Sequence, residues 1–237
     1  MTRRSQYSYD AHLREEDAQL FHHDPRSWTR KHVRAADDLR RDLKRHGYLE
    51  DDNDQIIDDF AEATVTLEFE ADSKGSLTVP KGTPVQRLDP SRRDANHYGD
   101  TIFETDEALT VSQGSTDTVQ ATATAPGEPF NVGADELTHL GPGVSLSHFE
   151  SVTNPSAATG GADHQLTRAA VYRTLKLVYT DLLSAADDVF NHKRKMYCEL
   201  YDEELERLVA SGLDVDTTGD GESDELAEHA SIRLRRS

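Results

Sequence analysis

Val65-Thr-Leu-Glu-Phe-Glu70 alternates apolar and polar residues, the period of two that turns one face of a strand toward a core and the other toward water. Leu77 and Val79 repeat the alternation more briefly. Four later runs are rich in Thr and Val and are separated by Gly, Pro and Asn: Thr101-Ile-Phe-Glu-Thr105, Ala108-Leu-Thr-Val111, Thr118-Val-Gln-Ala-Thr-Ala-Thr124 and Val144-Ser-Leu-Ser-His-Phe149. Short strands at this spacing predict a small antiparallel sandwich or barrel between about residues 63 and 155. Gly82, Gly114, Gly127 and Gly133 stand where turns call for positive φ, and Asn154-Pro155 ends the last strand.

On both sides of this segment the period changes to that of a helix. Asp24-Pro25 offers a capping oxygen and a first-turn proline, after which Trp28, His32, Ala35, Leu39 and Leu43 recur every three to four residues, and Gly47 is placed to end the helix. Arg30, Arg34, Asp37, Arg41 and Lys44 form the opposite, solvated face. Glu50 to Asp59 is an acidic stretch in which Ile56, Ile57 and Phe60 are candidates for packing. Beyond the strands, Asp163 is a candidate cap for a helix with Val171, Leu175, Val178 and Leu182 on one stripe and Tyr172, Tyr179 and Leu183 beside it. After the break at Ser184-Ala-Ala-Asp-Asp188, a second helix turns Phe190, Tyr197, Tyr201, Leu205 and Leu208 inward and Lys193-Arg194-Lys195 outward. Helices joined by so short a connection pack antiparallel.

The fold class expected is α+β: a small helical bundle, made of an N-terminal helix and a C-terminal antiparallel hairpin, with an inserted antiparallel β domain. Residues 1–23, polar with Tyr7 and Tyr9, read as an extended arm. Residues 24–60 and 163–212 form the discontinuous helical domain, 61–162 the insertion and 213–237 an acidic C-terminal tail.

The chain carries 26 Lys and Arg against 45 Asp and Glu, a net charge of −19. Such a balance repels phosphate backbones, so general nucleic-acid binding is not expected. Seven of the basic residues are Lys and 19 are Arg. Acidic excess with few lysines suits a surface that must stay hydrated in concentrated salt, so the expected source is halophilic and archaeal. The single cysteine, Cys198, excludes an internal disulfide and reads as a packed thiol on a helix. No apolar run approaches the roughly 20 residues needed to span a bilayer, and Met1-Thr-Arg-Arg-Ser-Gln6 is not followed by the apolar stretch of a signal peptide. A soluble protein made in the host cytoplasm is expected.

Chemistry-bearing patterns are sparse. Asp214, Asp216, Thr218, Asp220 and Glu225 match the calcium-loop spacing, with Gly219 at the sharp turn. A second register would begin at Asp216 and use Asp220, Glu222 and Asp224. The same residues are also the pattern of a solvated acidic tail, which is the preferred reading in so acidic a chain. His12 and the pair His22-His23 have no partner at zinc-ligand spacing and read as surface residues. No serine sits in a nucleophile elbow, and Gly160-Gly161 lacks the Lys-Ser/Thr of a phosphate loop. Enzyme activity is not expected.

Two resemblances give these elements a setting. Leu77-Thr-Val-Pro-Lys-Gly-Thr-Pro-Val85, Phe103-Glu-Thr-Asp-Glu107, Gly114, Ala121-Thr-Ala123, Gly127, Asn131-Val-Gly-Ala134 and the run from Ser151-Val-Thr-Asn-Pro155 through Gly160-Gly161 to Asp163 resemble, in order, the core of baseplate J-like proteins, which build the wedge of contractile phage tails. Ala169-Ala-Val-Tyr172, Leu175, Tyr179, Asp181-Leu182, Asp187-Asp188, Tyr197, Tyr201 and Glu203-Glu-Leu205 are similar to head-tail adaptors of tailed viruses. The second resemblance implies a dodecameric ring in the virion, at the head-tail joint. One face would meet the portal protein and the other the next neck or tail protein, with DNA passing through the channel without specific binding. The expected function is thus a structural adaptor of a tailed, haloarchaeal virus, needing no cofactor except possible calcium. The alternative is a baseplate J-like tail protein of a virus or contractile injection system. A secreted calcium-dependent binding module is a third class, disfavoured by the lack of a signal peptide.

Overall fold

The chain order of elements begins with α1 (Asp10–Glu16), α2 (Thr29–Arg45) and β1 (Gln55–Ile56). The strand-rich part follows: β2 (Thr64–Ala71), β3 (Leu77–Val79), β4 (Pro84–Leu88), β5 (Tyr98–Thr105), β6 (Leu109–Val111), β7 (Thr116–Ala123), a 3₁₀ turn (Glu128–Phe130), β8 (Leu137–Leu140) and β9 (Phe149–Thr153). It closes with α3 (Thr167–Leu182), α4 (Val189–Ser211) and β10 (Val215–Asp216). The structure is a computed structural model that describes residues 6–17, 19–20, 27–48, 55–56, 60–88, 98–141, 143–183 and 189–216. It divides into two compact units, 60–163 and the remainder on both sides of it. The fold is α+β with an inserted antiparallel β domain, as the two periodicities predict.

In the helical unit, the face of α2 read from the sequence is the one that packs: His32, Ala35, Leu39 and Leu43 are buried, with Trp28 just before the first turn. The Asp24-Pro25 start lies outside the described residues, and the helix begins at Thr29. Gly47 ends it at φ 88°. Its N–H donates to the Lys44 carbonyl at 3.1 Å, and the Tyr48 N–H reaches back to Leu43 at 3.1 Å, the paired bonds of a left-handed helix cap. α3 lies against both α2 and α4. The rings of Tyr172 and Tyr197 meet at 6.2 Å and those of Tyr179 and Phe190 at 6.0 Å, so rising numbers on α3 meet falling numbers on α4 and the hairpin is antiparallel.

Two local expectations change here, and Ile56 packs as expected. The extended arm contains α1, and Tyr7, Leu13 and Leu20 are buried; a seven-residue helix is too short for its period to stand out from the sequence. Asp163 does not cap α3. No side chain caps its first turn: His164 Nδ1 accepts from the Leu166 N–H at 3.0 Å ahead of the helix, while the Asp163 carboxylate accepts from the Glu128 N–H at 2.8 Å within the strand-rich unit. The stretch 50–59 contributes Ile56, buried, to a two-residue antiparallel ladder in which Gln55 faces Asp216 and Ile56 faces Val215. The break at 184–188 lies outside the described residues.

In the strand-rich unit, one antiparallel sheet runs β8-β4-β5-β7-β2-β9, and β3 pairs with β6 apart from it. Val65, Leu67 and Phe69 of β2 alternate inward as predicted, with Ala71 continuing the pattern, and lie opposite Ala121, Val119 and Val152 in the flanking strands. The two outermost strands of that order, β8 and β9, approach each other, so the sheet curls to near closure as a barrel. The run 144–148 is loop, and its strand begins at Phe149, because His148 takes a left-handed φ of 64°. β8 was not legible, since Leu137-Thr-His-Leu140 shows no alternation.

Candidate functional site

Gly127, Asn131 and Gly161 of the baseplate-type pattern gather where the chain enters and leaves the barrel. Ala61 and Ala162 exchange backbone bonds at 3.2 and 3.1 Å, and Thr64 and Thr159 do so at 2.9 and 3.1 Å. The Asn131 side chain clamps the outgoing segment: its Nδ2 donates to the Gly161 carbonyl and its Oδ1 accepts from the Gly161 N–H, both at 2.9 Å. A Cβ on Gly161 would lie 2.4 Å from the Gly127 carbonyl oxygen, so only glycine fits. Gly127 has φ 129°, whereas Gly133 is not among the positive-φ glycines and needs no such freedom.

Asn154 closes the barrel seam. It is fully buried, its Oδ1 accepting from the Leu137 N–H at 2.8 Å and its Nδ2 donating to the carbonyls of Gly133 and Ser156 at 2.7 and 2.9 Å. The Asp135 N–H adds a bond to the Asn154 carbonyl at 2.8 Å. The side chain thus replaces the ladder bonds that β8 and β9 do not make with each other. Every one of these groups is used up in holding backbone.

The helical unit has a different chemistry, a set of buried carboxylates that join its first fifty residues to the hairpin. Asp17 follows α1 and is 7% exposed. It accepts from Lys193 Nζ at 2.9 and 2.7 Å, from the Tyr179 hydroxyl at 2.7 Å and from the Tyr197 hydroxyl at 3.1 Å. Burial works against its ionisation, but the bond from Lys193, the bonds from the two tyrosines and the lysine's charge outweigh it and hold the carboxyl below the usual aspartate value. Burial and the same carboxylate push both phenols far above their ordinary value, so they stay protonated donors. Lys193 therefore points inward, contrary to the outward cluster expected, because its four-carbon stem carries the ammonium from the helix flank to Asp17. Arg194 bonds Asn191, and Lys195 is exposed.

Two further ties repeat the scheme. Asp38, 6% exposed, accepts from Arg173 Nε and Nη2 at 3.0 and 2.7 Å, and Asp42 accepts from the Tyr201 hydroxyl at 2.8 Å. Asp10, His32 and Ser8 form a chain: Asp10 Oδ1 lies 3.0 Å from His32 Nε2, and Ser8 Oγ lies 2.7 Å from His32 Nδ1. That connectivity is the one a hydrolytic triad uses. Here Ser8 is fully buried and His32 is 1% exposed, so no reacting group reaches the hydroxyl and the chain serves as a stitch. His12, read as a surface residue, is also buried, its Nδ1 accepting from the Tyr9 N–H at 3.1 Å. His22 and His23 lie outside the described residues.

Of the candidate calcium ligands, Asp214 exchanges backbone bonds with the Gln165 side chain at 3.1 and 3.0 Å and Asp216 sits in β10, while Thr218, Asp220 and Glu225 lie outside the described residues. Among the described residues no group of three or more His, Cys, Asp or Glu is placed to hold a metal ion. None of the described helices is long and apolar enough to cross a membrane.

Residues 64–161 match the baseplate J-like protein barrel domain, a span that coincides with the barrel from β2 to the Asn131–Gly161 clamp. No curated protein matches the chain. The barrel is thus similar to that of baseplate J-like proteins, and the match supports a structural component of a viral tail or baseplate.

Proposed function

We propose that the protein is a non-enzymatic structural subunit of the tail of a tailed virus or related contractile assembly, working by self-assembly. The match of the barrel to the baseplate J-like domain carries this reading. The barrel's Asn131 and Asn154 agree with it from the chemical side, since both amides are spent on backbone groups. Labelled antibody against the barrel, applied to intact particles under the electron microscope, should decorate the tail tip. Decoration of the capsid surface, or of nothing in purified particles, would sink the proposal.

A second reading places the chain at the head-tail joint, as a ring on the portal through which DNA passes. One observation favours it: α2, from before the barrel, packs with the hairpin α3–α4 that follows the barrel, the arrangement on which the adaptor resemblance depends. Decoration at the neck selects this reading. In either place the acidic, lysine-poor composition favours a halophilic virus. A folded oligomer that loses order when salt is diluted would bear that out. Calcium at the 214–225 stretch is tested by titration: protection of the segment beyond Leu213 from protease is the outcome that favours it.

A further inference from the structure

Charge is segregated in this molecule. Residues 29–45, which form α2, carry seven Lys or Arg against three Asp, in a chain whose net charge is −19. Arg30, Arg34, Arg41, Lys44 and Arg45 fall on one side of the helix and are exposed. At a rise of 1.5 Å per residue they make a basic stripe about 22 Å long. Asp37 is the only acidic side chain exposed along it; Asp38 is buried and Asp42 half-buried, both turned to the hairpin. Arg41 and Arg45 share those two carboxylates at 3.1 and 2.8 Å, while Arg30 and Arg34 have no partner among the described residues. A shallow groove on the same face is lined by Thr29, Arg30, Val33, Arg34 and Asp37, with half-buried Val33 between the two arginines.

The complement is present on the same chain. Residues 60–163 carry sixteen Asp and Glu against five Lys and Arg, and none of β2, β5, β7 and β9 contains a basic residue. Glu68, Glu70 and Glu104 project from the outer face of the barrel, opposite to buried Leu67, Phe69 and Phe103. The Ser151 hydroxyl donates to Glu70 at 2.7 Å, which orients that carboxylate on the sheet without neutralising it.

We infer that the basic face of α2 docks on the acidic outer face of the barrel in a second copy of this chain. The contact is heterologous, since the two faces differ, so each copy offers one of each and the contact propagates into a ring or an open row. Val33 supplies the apolar centre of the patch, and the arginines, with forked donors, suit carboxylates. This deepens the self-assembly reading above by naming the two surfaces.

The test is a charge swap on the full chain, read by sedimentation velocity across a wide concentration range. Arg30→Glu/Arg34→Glu should weaken association about tenfold or more, and Glu68→Arg/Glu70→Arg should do the same. An equal mixture of the two variants should recover association, because every α2 face then finds a barrel of opposite sign. Cooperative thermal melting close to that of the parent, expected because Arg30 and Arg34 hold no other element and Glu70 holds only the exposed Ser151 hydroxyl, shows that the variants fold. If either variant assembles like the parent, these surfaces are wrong although self-assembly stands. A parent chain that stays monomeric throughout removes both readings. Should the monomeric parent instead bind a DNA duplex in a fluorescence anisotropy assay, with the arginine variant losing it, the occupant is a phosphate backbone and the inference is overturned.

Discussion

The barrel and the helical unit are of similar size, yet they are held together by different means. In the barrel, backbone ladders and an apolar interior around Phe69, Phe103 and Phe130 do the main work, and its polar side chains finish backbone bonds that the strands leave open. In the helical unit, apolar stripes build the hairpin, but the N-terminal segment is fastened to it by ionised groups: Asp17 to Lys193, Asp38 to Arg173, with Asp42 bonded to Tyr201. A carboxylate buried with its cation is expensive to leave half-paired, whereas a buried phenyl ring is insensitive to pH. The comparison therefore forecasts that one unit fails by cavity and the other by charge.

The sharpest way to break that contrast is Phe103→Ala. It removes a fully buried ring that meets Phe130 edge-on at 6.5 Å, and it should destabilise the barrel by about 3–5 kcal/mol. Amide hydrogen exchange should rise in 64–161 and stay as it was in α3 and α4. Loss of protection in both units would mean that they do not fail separately. Next comes Asp17→Ala, which leaves Lys193 and two phenols without their acceptor. About 3 kcal/mol is expected, read as deprotection of α1 and α3 with the barrel unmoved. Asn154→Ala opens the seam by removing one acceptor and two amide N–H donors, at about 2 kcal/mol, and should deprotect β8 and β9 before β5.

Acid should sharpen the contrast further. The carboxyls of Asp17 and Asp10 are held below the aspartate value of 3.8, both against burial, by Lys193 and the tyrosines in one case and by His32 in the other. A group with a depressed folded value contributes stability that is complete above its unfolded value and fades as pH falls through the folded one. Hydrogen exchange in the helical unit should therefore accelerate below about pH 3.8, and Asp17→Asn should flatten that dependence; a parent chain with equal acid response in both units would remove the distinction. The smallest effect belongs to Lys31→Ala, whose partner Asp181 is half exposed: under about 1 kcal/mol by thermal melting.

These differences also explain what could be read in advance. Val65, Leu67 and Phe69 announce β2 because a period of two survives in any half-buried strand, and Trp28 to Leu43 announces α2 by the same logic at 3.6. Gly47 and Asn154-Pro155 mark ends by local geometry alone. Lys193 misled because side-chain reach, not helical phase, decides where an ammonium goes, and Asp17 lies 176 residues from it in sequence. No local rule couples positions so far apart. β8 escaped because its bulged pairing with β4, shifted between Gln86 and Arg87, needs no alternation. Asp10, Ser8 and His32 form a triad-like chain that only distance reveals.

The paired strands at Ala61 and Ala162 bring the two ends of the barrel to neighbouring positions, about 5 Å apart as in any antiparallel pair. A segment whose ends already touch behaves as a cassette. Taking it out would leave the flanking segments a gap of no more than a peptide or two to bridge, so the excision can be made without stretching the chain.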